Sequence, residues 1–261
     1  MNPGDLLDLA TYAARRAGEL LLERFRGAPQ GVESKSTPTD LVSDADRAAE
    51  ELLLDLIAKE RPDDGVVTEE SAGRDSTSGL VWVLDPLDGT VNFLFRIPWW
   101  CVSVAVEDER GALVGAIFNP NLDEMFTAVR GRGAQLNGAP IRVSDKTELG
   151  DALIGTGFAY AADARELQAA IASLVLPRAR DLRRMGSAAL DLAALACGRL
   201  DGYYEAPLEH WDRAAGFLIV EEAGGVITEL PGPPGLSDGA IASGPGLHDA
   251  LSALILDGPD R

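Results

Sequence analysis

A chain of 261 residues, 46% of them hydrophobic, can bury a large core as one big domain or as two closely packed halves. With 42 acidic against 23 basic side chains its formal charge is -19, which argues against nucleic acid or an anionic membrane surface as a partner. Such acidity suits a site that collects divalent cations, although most of these side chains must be solvated surface.

The first periodic segment lies between Gly4 and Gly27, where Leu6, Leu7, Leu9, Ala10, Ala13, Ala14, Ala17, Leu20, Leu21 and Phe25 recur at helical spacing and predict a structural helix. Ser43 then reads as the cap of a second helix, with Ala48, Ala49, Leu52, Leu53, Leu56 and Ile57 on one face. Lys35, Asp40, Asp44 and Asp46 lie ahead of or within its first turn, where acids ordinarily complement the helix dipole. Gly65 to Val67 reads as a short strand ending in Thr68, Glu69, Glu70 and Ser71, and Val81 to Leu84 as a buried strand. If the two are neighbours, parallel or mixed, their ends deliver carboxylates to one crevice.

The stretch VWVLDPLDGTVNF, Val81 to Phe93, is the centre of the chain's chemistry. Asp85 and Asp88 leave the end of a strand, Gly89 can take backbone angles other residues avoid, and Thr90 can begin a helix. A solvated Asp-Pro-x-Asp-Gly turn fits the same letters. Two carboxylates aimed into one space repel unless a cation lies between them, and hard oxygens suit Mg²⁺. A helix starting at Thr90 would offer free N–H groups to a phosphate.

From Trp99 to Val129 the pattern predicts antiparallel strands, followed by hairpin turns in GRGAQLNG. Beyond Asp151 short strands alternate with helices: ALIGTGF, a helix over Ala164 to Leu174, a strand at Ala179 to Leu182, a helix from Ser187 to Cys197, DGYYEA, a helix from Trp211 to Ala223, GVITEL, GAIASG and a final helix. One domain over 1–261 is expected, with an N-terminal α+β half to about residue 150 and an α/β half after it. Cys101 and Cys197 read as buried free thiols. No apolar run reaches the length of a membrane span, and the N-terminus carries Asp5 and Asp8 where a signal peptide carries basic residues, so a cytoplasmic protein is expected.

Glu69 with Glu70, the DPLDGT turn, the WD pair at Asp212 followed by AGG, the GSAA of Gly186 to Ala189 and the DLVSDAD of Asp40 to Asp46 together resemble the inositol monophosphatase family of Mg²⁺-dependent, lithium-sensitive phosphatases. The resemblance implies an α/β (α+β) fold, a layered αβαβα sandwich, assembled as a homodimer. It implies one Mg²⁺ held by Glu69, Asp85 and the Leu87 carbonyl, a second by Asp85, Asp88 and Asp212, and a third, weaker ion sharing Glu69 with Glu70 nearby. Gly89 and Thr90 would bind phosphate, and Thr90 with Asp46 would orient and deprotonate the attacking water, with Glu70 beside this catalytic set. Glu205, Ser187 and Ala188, together with Asp88 and Asp212, would face the substrate alcohol, and Lys35 matches a position near the metals.

The implied activity is hydrolysis of a small polyol phosphate monoester, with myo-inositol 1-phosphate first. Fructose 1,6-bisphosphate, histidinol phosphate and 3′-phosphoadenosine nucleotides remain alternatives on the same fold, as does a non-catalytic binding protein. Ala159 and Tyr160 after TGF, Trp99 and Trp100 after the IP turn, and Ser187 depart from common members and leave the rim of the alcohol pocket open.

Overall fold

Residues 2–27, 30–34 and 41–257 are described by a computed structural model, which places Lys35 and Asp40 outside the described residues. The first helix, α1 (Pro3–Arg26), starts where the Asn2 side chain accepts the Gly4 N–H and buries Leu6, Ala10, Ala13, Ala14, Ala17 and Leu21. Two short strands, β1 (Glu33–Ser34) and β2 (Leu41–Val42), pair antiparallel. They lead into α2 (Asp44–Glu60), which is capped reciprocally: Ser43 Oγ accepts the Ala45 N–H and Asp46 accepts the Ser43 N–H. Asp46, 1% exposed, is therefore a buried component of the cap rather than a surface complement to the dipole.

Next come β3 (Gly65–Thr68), β4 (Val81–Asp88), the short helix α3 (Thr90–Leu94), β5 (Cys101–Asp108), β6 (Gly111–Asn119), β7 (Glu124–Val129), β8 (Ala134–Leu136) and β9 (Ala139–Pro140). They form a seven-stranded sheet in sequence order, in which β3 and β4 run parallel and the other neighbours antiparallel. The GRGAQLNG segment contains β8 itself, entered by Gly131 and Gly133 and left by an Asn137–Gly138 turn, all at positive φ.

The second half contains β10 (Leu153–Thr156), α4 (Ala162–Val175), β11 (Asp181–Arg183), α5 (Ala188–Ala196), β12 (Gly202–Glu205), α6 (His210–Glu222), β13 (Val226–Leu230), β14 (Gly239–Ser243) and α7 (Pro245–Leu256). Its five-stranded sheet has the order β11-β10-β12-β14-β13, parallel on the β11 side of β12 and antiparallel beyond it. The expected strand at Ala179 to Leu182 lies further along, because the backbone N–H groups of Ala179 and Arg180 still bond to the turn carbonyls of Val175, Leu149 and Ala152.

Helices α1 and α2 cover one face of the large sheet, α5 and α6 fill the space between the sheets, and α4 with α7 cover the far face of the small sheet. This is the αβαβα sandwich. Strand alternation explains it: Trp82 and Leu84 enter the core under α1 and α2, whereas Val83 enters the core shared with α5 and α6. Cys101 is buried and Cys197 only half-buried; both are free thiols.

Candidate metal and phosphate site

The expected strand ending at Leu84 runs on through Asp88. In a regular strand, residues three apart face opposite sides. Here Asp85 pairs with Ser103 and Asp88 with Cys101, so β4 carries one residue more than β5 over this interval. The bulge turns Asp88 back to the face of Asp85, the same face on which Val83 meets α5 and α6. Pro86, which lacks an N–H, sits within the bulge, and Asp85 Oδ1 accepts the Leu87 N–H at 3.0 Å.

Glu69 arrives by register. Thr68 lies beside Leu84 in the parallel β3–β4 pair, so the next residue of each strand is an acid, Glu69 beside Asp85. Glu50 of α2, 4% exposed, fixes this strand end: its Oε2 accepts the Thr68 hydroxyl at 2.6 Å and the Glu70 N–H at 2.9 Å. Sequence reasoning missed Glu50. Its signal is an acid one turn after Asp46 on the inner face of the helix, beside Ala49, Leu53 and Ile57.

Asp88 meets the start of α5. Its Oδ2 accepts the Ser187 hydroxyl at 2.5 Å and the Ala189 N–H at 2.7 Å, and its Oδ1 accepts the Ala188 N–H at 3.3 Å. The donors at Ser187 and Ala188 expected to meet a substrate alcohol are thus engaged by Asp88. Asp212 is the third residue of α6, reaching back to the Glu209 N–H at 2.7 Å.

These acids share one field. Burial, followed by the charges of Glu69, Asp88 and Asp212, pushes the Asp85 carboxyl well above the usual range. Burial, with Asp88 and Glu69, does the same to Asp212. Burial also raises Asp88, against the opposing pull of its Ser187 and helix donors.

On the α2 side, Gly89 caps α3 at φ 101°, a left-handed conformation in which a Cβ would stand 3.0 Å from the Trp99 carbonyl oxygen. The turn brings Thr90 Oγ1 to 2.8 Å from Asp46 Oδ1 and 3.1 Å from the Leu87 carbonyl oxygen. Asp46 Oδ2 accepts both the backbone N–H and the hydroxyl of Ser43, at 2.9 and 2.6 Å. Burial raises the Asp46 carboxyl despite these bonds.

On the other side stands Glu205, at the end of β12, accepting the Tyr203 hydroxyl at 2.6 Å. Burial pushes its carboxyl up to about 7, with Tyr203 and Arg184 pulling down and Asp88 pushing up. Asp191, 1% exposed and with Oδ1 lacking a hydrogen-bond partner, lies beneath; burial and then the charges of Glu205 and Asp88 raise it well above the usual range. It was not singled out because it sits within an apolar helix, and that placement is the signal. Asn92 Nδ2, at 2.7 Å from both the Trp99 and Met185 carbonyl oxygens, ties the turn after β4 to the segment before α5.

Glu69, Asp85, Asp88 and Asp212 therefore come together from three parts of the chain. Among the described residues, no group of three or more His, Cys, Asp or Glu side chains is arranged so that it could hold a metal ion as it stands. The donor chemistry nevertheless fits a divalent cation, because mutually repelling carboxylates, Asp85 and Asp88 buried and Glu69 and Asp212 half-buried, present hard oxygens. Among the described residues no helix is long and apolar enough to cross a membrane.

The Inositol monophosphatase family model matches residues 3–256. The chain is 40% identical to "Nus factor SuhB" of Escherichia coli (strain K12), over 98% of this chain and 97% of that protein. It is 43% identical to "Inositol-1-monophosphatase" of Mycobacterium leprae, over 95% of this chain and 90% of that one. The solved structure of extragenic suppressor protein suhB from Bartonella henselae superposes with a TM-score of 0.91 at 36% identity, covering 97% of this chain and 99% of that chain. With the fold and nearly the whole length matched, the chain belongs to the inositol monophosphatase family.

Proposed function

We propose that the protein is a Mg²⁺-dependent phosphatase of small polyol monophosphates, with myo-inositol 1-phosphate its first substrate to try. The observation that carries this reading is the gathering of Glu69, Asp85, Asp88 and Asp212 beside the Gly89–Thr90 turn. The name of the Mycobacterium leprae relative points to the same substrate.

Glu69, Asp85, Asp88, Asp212 and the Leu87 carbonyl would hold two Mg²⁺ ions, with Glu70 near a third. When bound, Mg²⁺ neutralises the phosphoryl oxygens, lowers the pKa of water and stabilises the leaving alkoxide. Gly89 and Thr90 receive the phosphate. Thr90 orients the attacking water and Asp46 is the base to which its proton passes, so no covalent enzyme intermediate is required. Glu205 accepts from a hydroxyl of the alcohol, and Ser187 and Ala188 act through Asp88. A cytoplasmic homodimer with lithium sensitivity completes the proposal.

A second reading, a non-catalytic binding protein on this fold, draws on the name of the Escherichia coli relative. Retention of the four carboxylates favours catalysis. Phosphate release from myo-inositol 1-phosphate, fructose 1,6-bisphosphate, histidinol phosphate and 3′-phosphoadenosine 5′-phosphate, each with Mg²⁺ and with EDTA, separates the readings. Mg²⁺-dependent turnover of the first is expected; turnover of none, with Mg²⁺ still bound by calorimetry, would overturn the enzyme reading.

A further inference from the structure

Glu205 owes its place to features of two neighbouring strands. The Tyr203 ring is 0% exposed in the core between the sheets, so its hydroxyl is an immobile donor, and it lies 2.6 Å from Glu205 Oε2. Opposite is β10, paired in parallel with β12 so that Gly155 lies beside Tyr203. Residues two apart on a strand share a face. A Cβ on Gly155 would meet Leu200 Cδ1 at 2.8 Å and Tyr203 Cδ2 at 3.3 Å, and a Cβ on Gly157 would fall 1.9 Å from the Glu205 carboxyl carbon. Gly157 thus leaves open the place that the Glu205 carboxylate occupies, while Gly155 lets Leu200 and the Tyr203 ring pack close to β10.

We propose that Tyr203 is a positioning residue that, with the space left by Gly157, sets the affinity of the site for the alcohol portion of the substrate by holding Glu205 in one orientation. This rests on the reading of the site as a polyol phosphatase. A hydroxyl of the alcohol gains most from a carboxylate whose direction is fixed before binding, because no rotamer freedom is then lost on contact. The phosphate end meets Gly89 and Thr90 on a different element, so the two ends of a substrate are separable by mutation.

The test is calorimetric. Wild type, Tyr203→Phe, Glu205→Gln and the double variant are titrated, in Ca²⁺ in place of Mg²⁺, with myo-inositol 1-phosphate and separately with inorganic phosphate. Tyr203→Phe keeps the buried ring and removes only the hydroxyl. It is expected to weaken inositol phosphate binding about fivefold to tenfold and to leave phosphate binding within about twofold. The double variant is expected to bind no more weakly than Glu205→Gln, as for two residues acting through one contact. Gly157→Ala, which displaces the Glu205 carboxylate directly, should show the same selective loss. An unchanged affinity in Tyr203→Phe, equal weakening of both ligands, or additive effects in the double variant would each overturn the inference. A wild type that binds phosphate but not inositol phosphate would sink the proposed substrate and this inference with it; intact wild-type binding without a Tyr203 effect would sink this inference alone.

Discussion

Thr90 Oγ1 lies 2.8 Å from Asp46 Oδ1, joining the residue after the β4 bulge to the first turn of α2. The other oxygen of Asp46 is taken by Ser43, so the carboxylate cannot swing away. Thr90→Ala removes the hydroxyl that the proposed reaction uses to orient the attacking water toward Asp46. It is expected to lower kcat by about 10²-fold or more, with Mg²⁺ affinity changed less than about threefold. Steady-state rates at saturating substrate against a Mg²⁺ titration check this, and a change confined to Mg²⁺ affinity would move Thr90 into the metal shell.

Asp88 is at once a candidate metal ligand and the acceptor of the Ser187 hydroxyl and the Ala189 N–H. Asp88→Asn keeps the shape and deletes the charge. Turnover should fall by about 10²-fold or more and the Mg²⁺ concentration for half activation should rise. Near-normal kinetics would remove Asp88 from the site.

Chelation probes the acids together. EDTA is expected to abolish phosphate release and added Mg²⁺ to restore it, while far-ultraviolet circular dichroism stays unchanged, because the three cores are apolar and do not depend on the ion. Persistent turnover in EDTA would rule out the metal requirement.

Away from the site, Asp64 is 1% exposed and receives Arg61 through two bonds of 2.7 and 3.0 Å, the Ser78 hydroxyl at 2.6 Å and the Trp82 indole N–H at 2.9 Å. Burial pushes its carboxyl up, but these donors and the Arg61 charge outweigh it and hold the folded-state pKa below the usual range. Stability from this group is therefore present above the unfolded value, about 3.9, and is lost as pH falls from there through the lower folded value. Asp64→Asn should cost about 2–3 kcal/mol near neutral pH, because it removes the buried charge that pairs with the half-buried Arg61 guanidinium. Thermal unfolding should show the gap to wild type narrowing below about pH 4; a gap independent of pH would refute the charge argument.

What was legible in the sequence follows from what is local. Apolar spacing places α1 and α2 because one face of each is buried, and the Ser43 cap is written in a single residue. Carboxylates closing β3 and β4 were readable because parallel neighbours bring their ends together. The bulge was not, since an extra residue in β4 is defined only by its pairing with β5. Glu50, Asp191 and Tyr203 escaped for a related reason: each is polar where its own helix or strand looks like core, and its partner lies elsewhere in the fold. The five-layer order came from resemblance, because no local pattern says which helix lies between two sheets.

The carboxylates at the site sit on different layers, Glu69 just after β3 and Asp85 and Asp88 within β4 of the large sheet, and Asp212 on a helix of the middle layer. An ion held by Asp85, Asp88 and Asp212 would bind only when those layers are docked, which makes its affinity a report on tertiary integrity. By linkage, free Mg²⁺ at about a hundred times its dissociation constant would add about 2.7 kcal/mol to the stability of the docked state. Such an ion is a clasp between layers as much as a reagent: chelation would leave the fold in place and lower the temperature at which it melts.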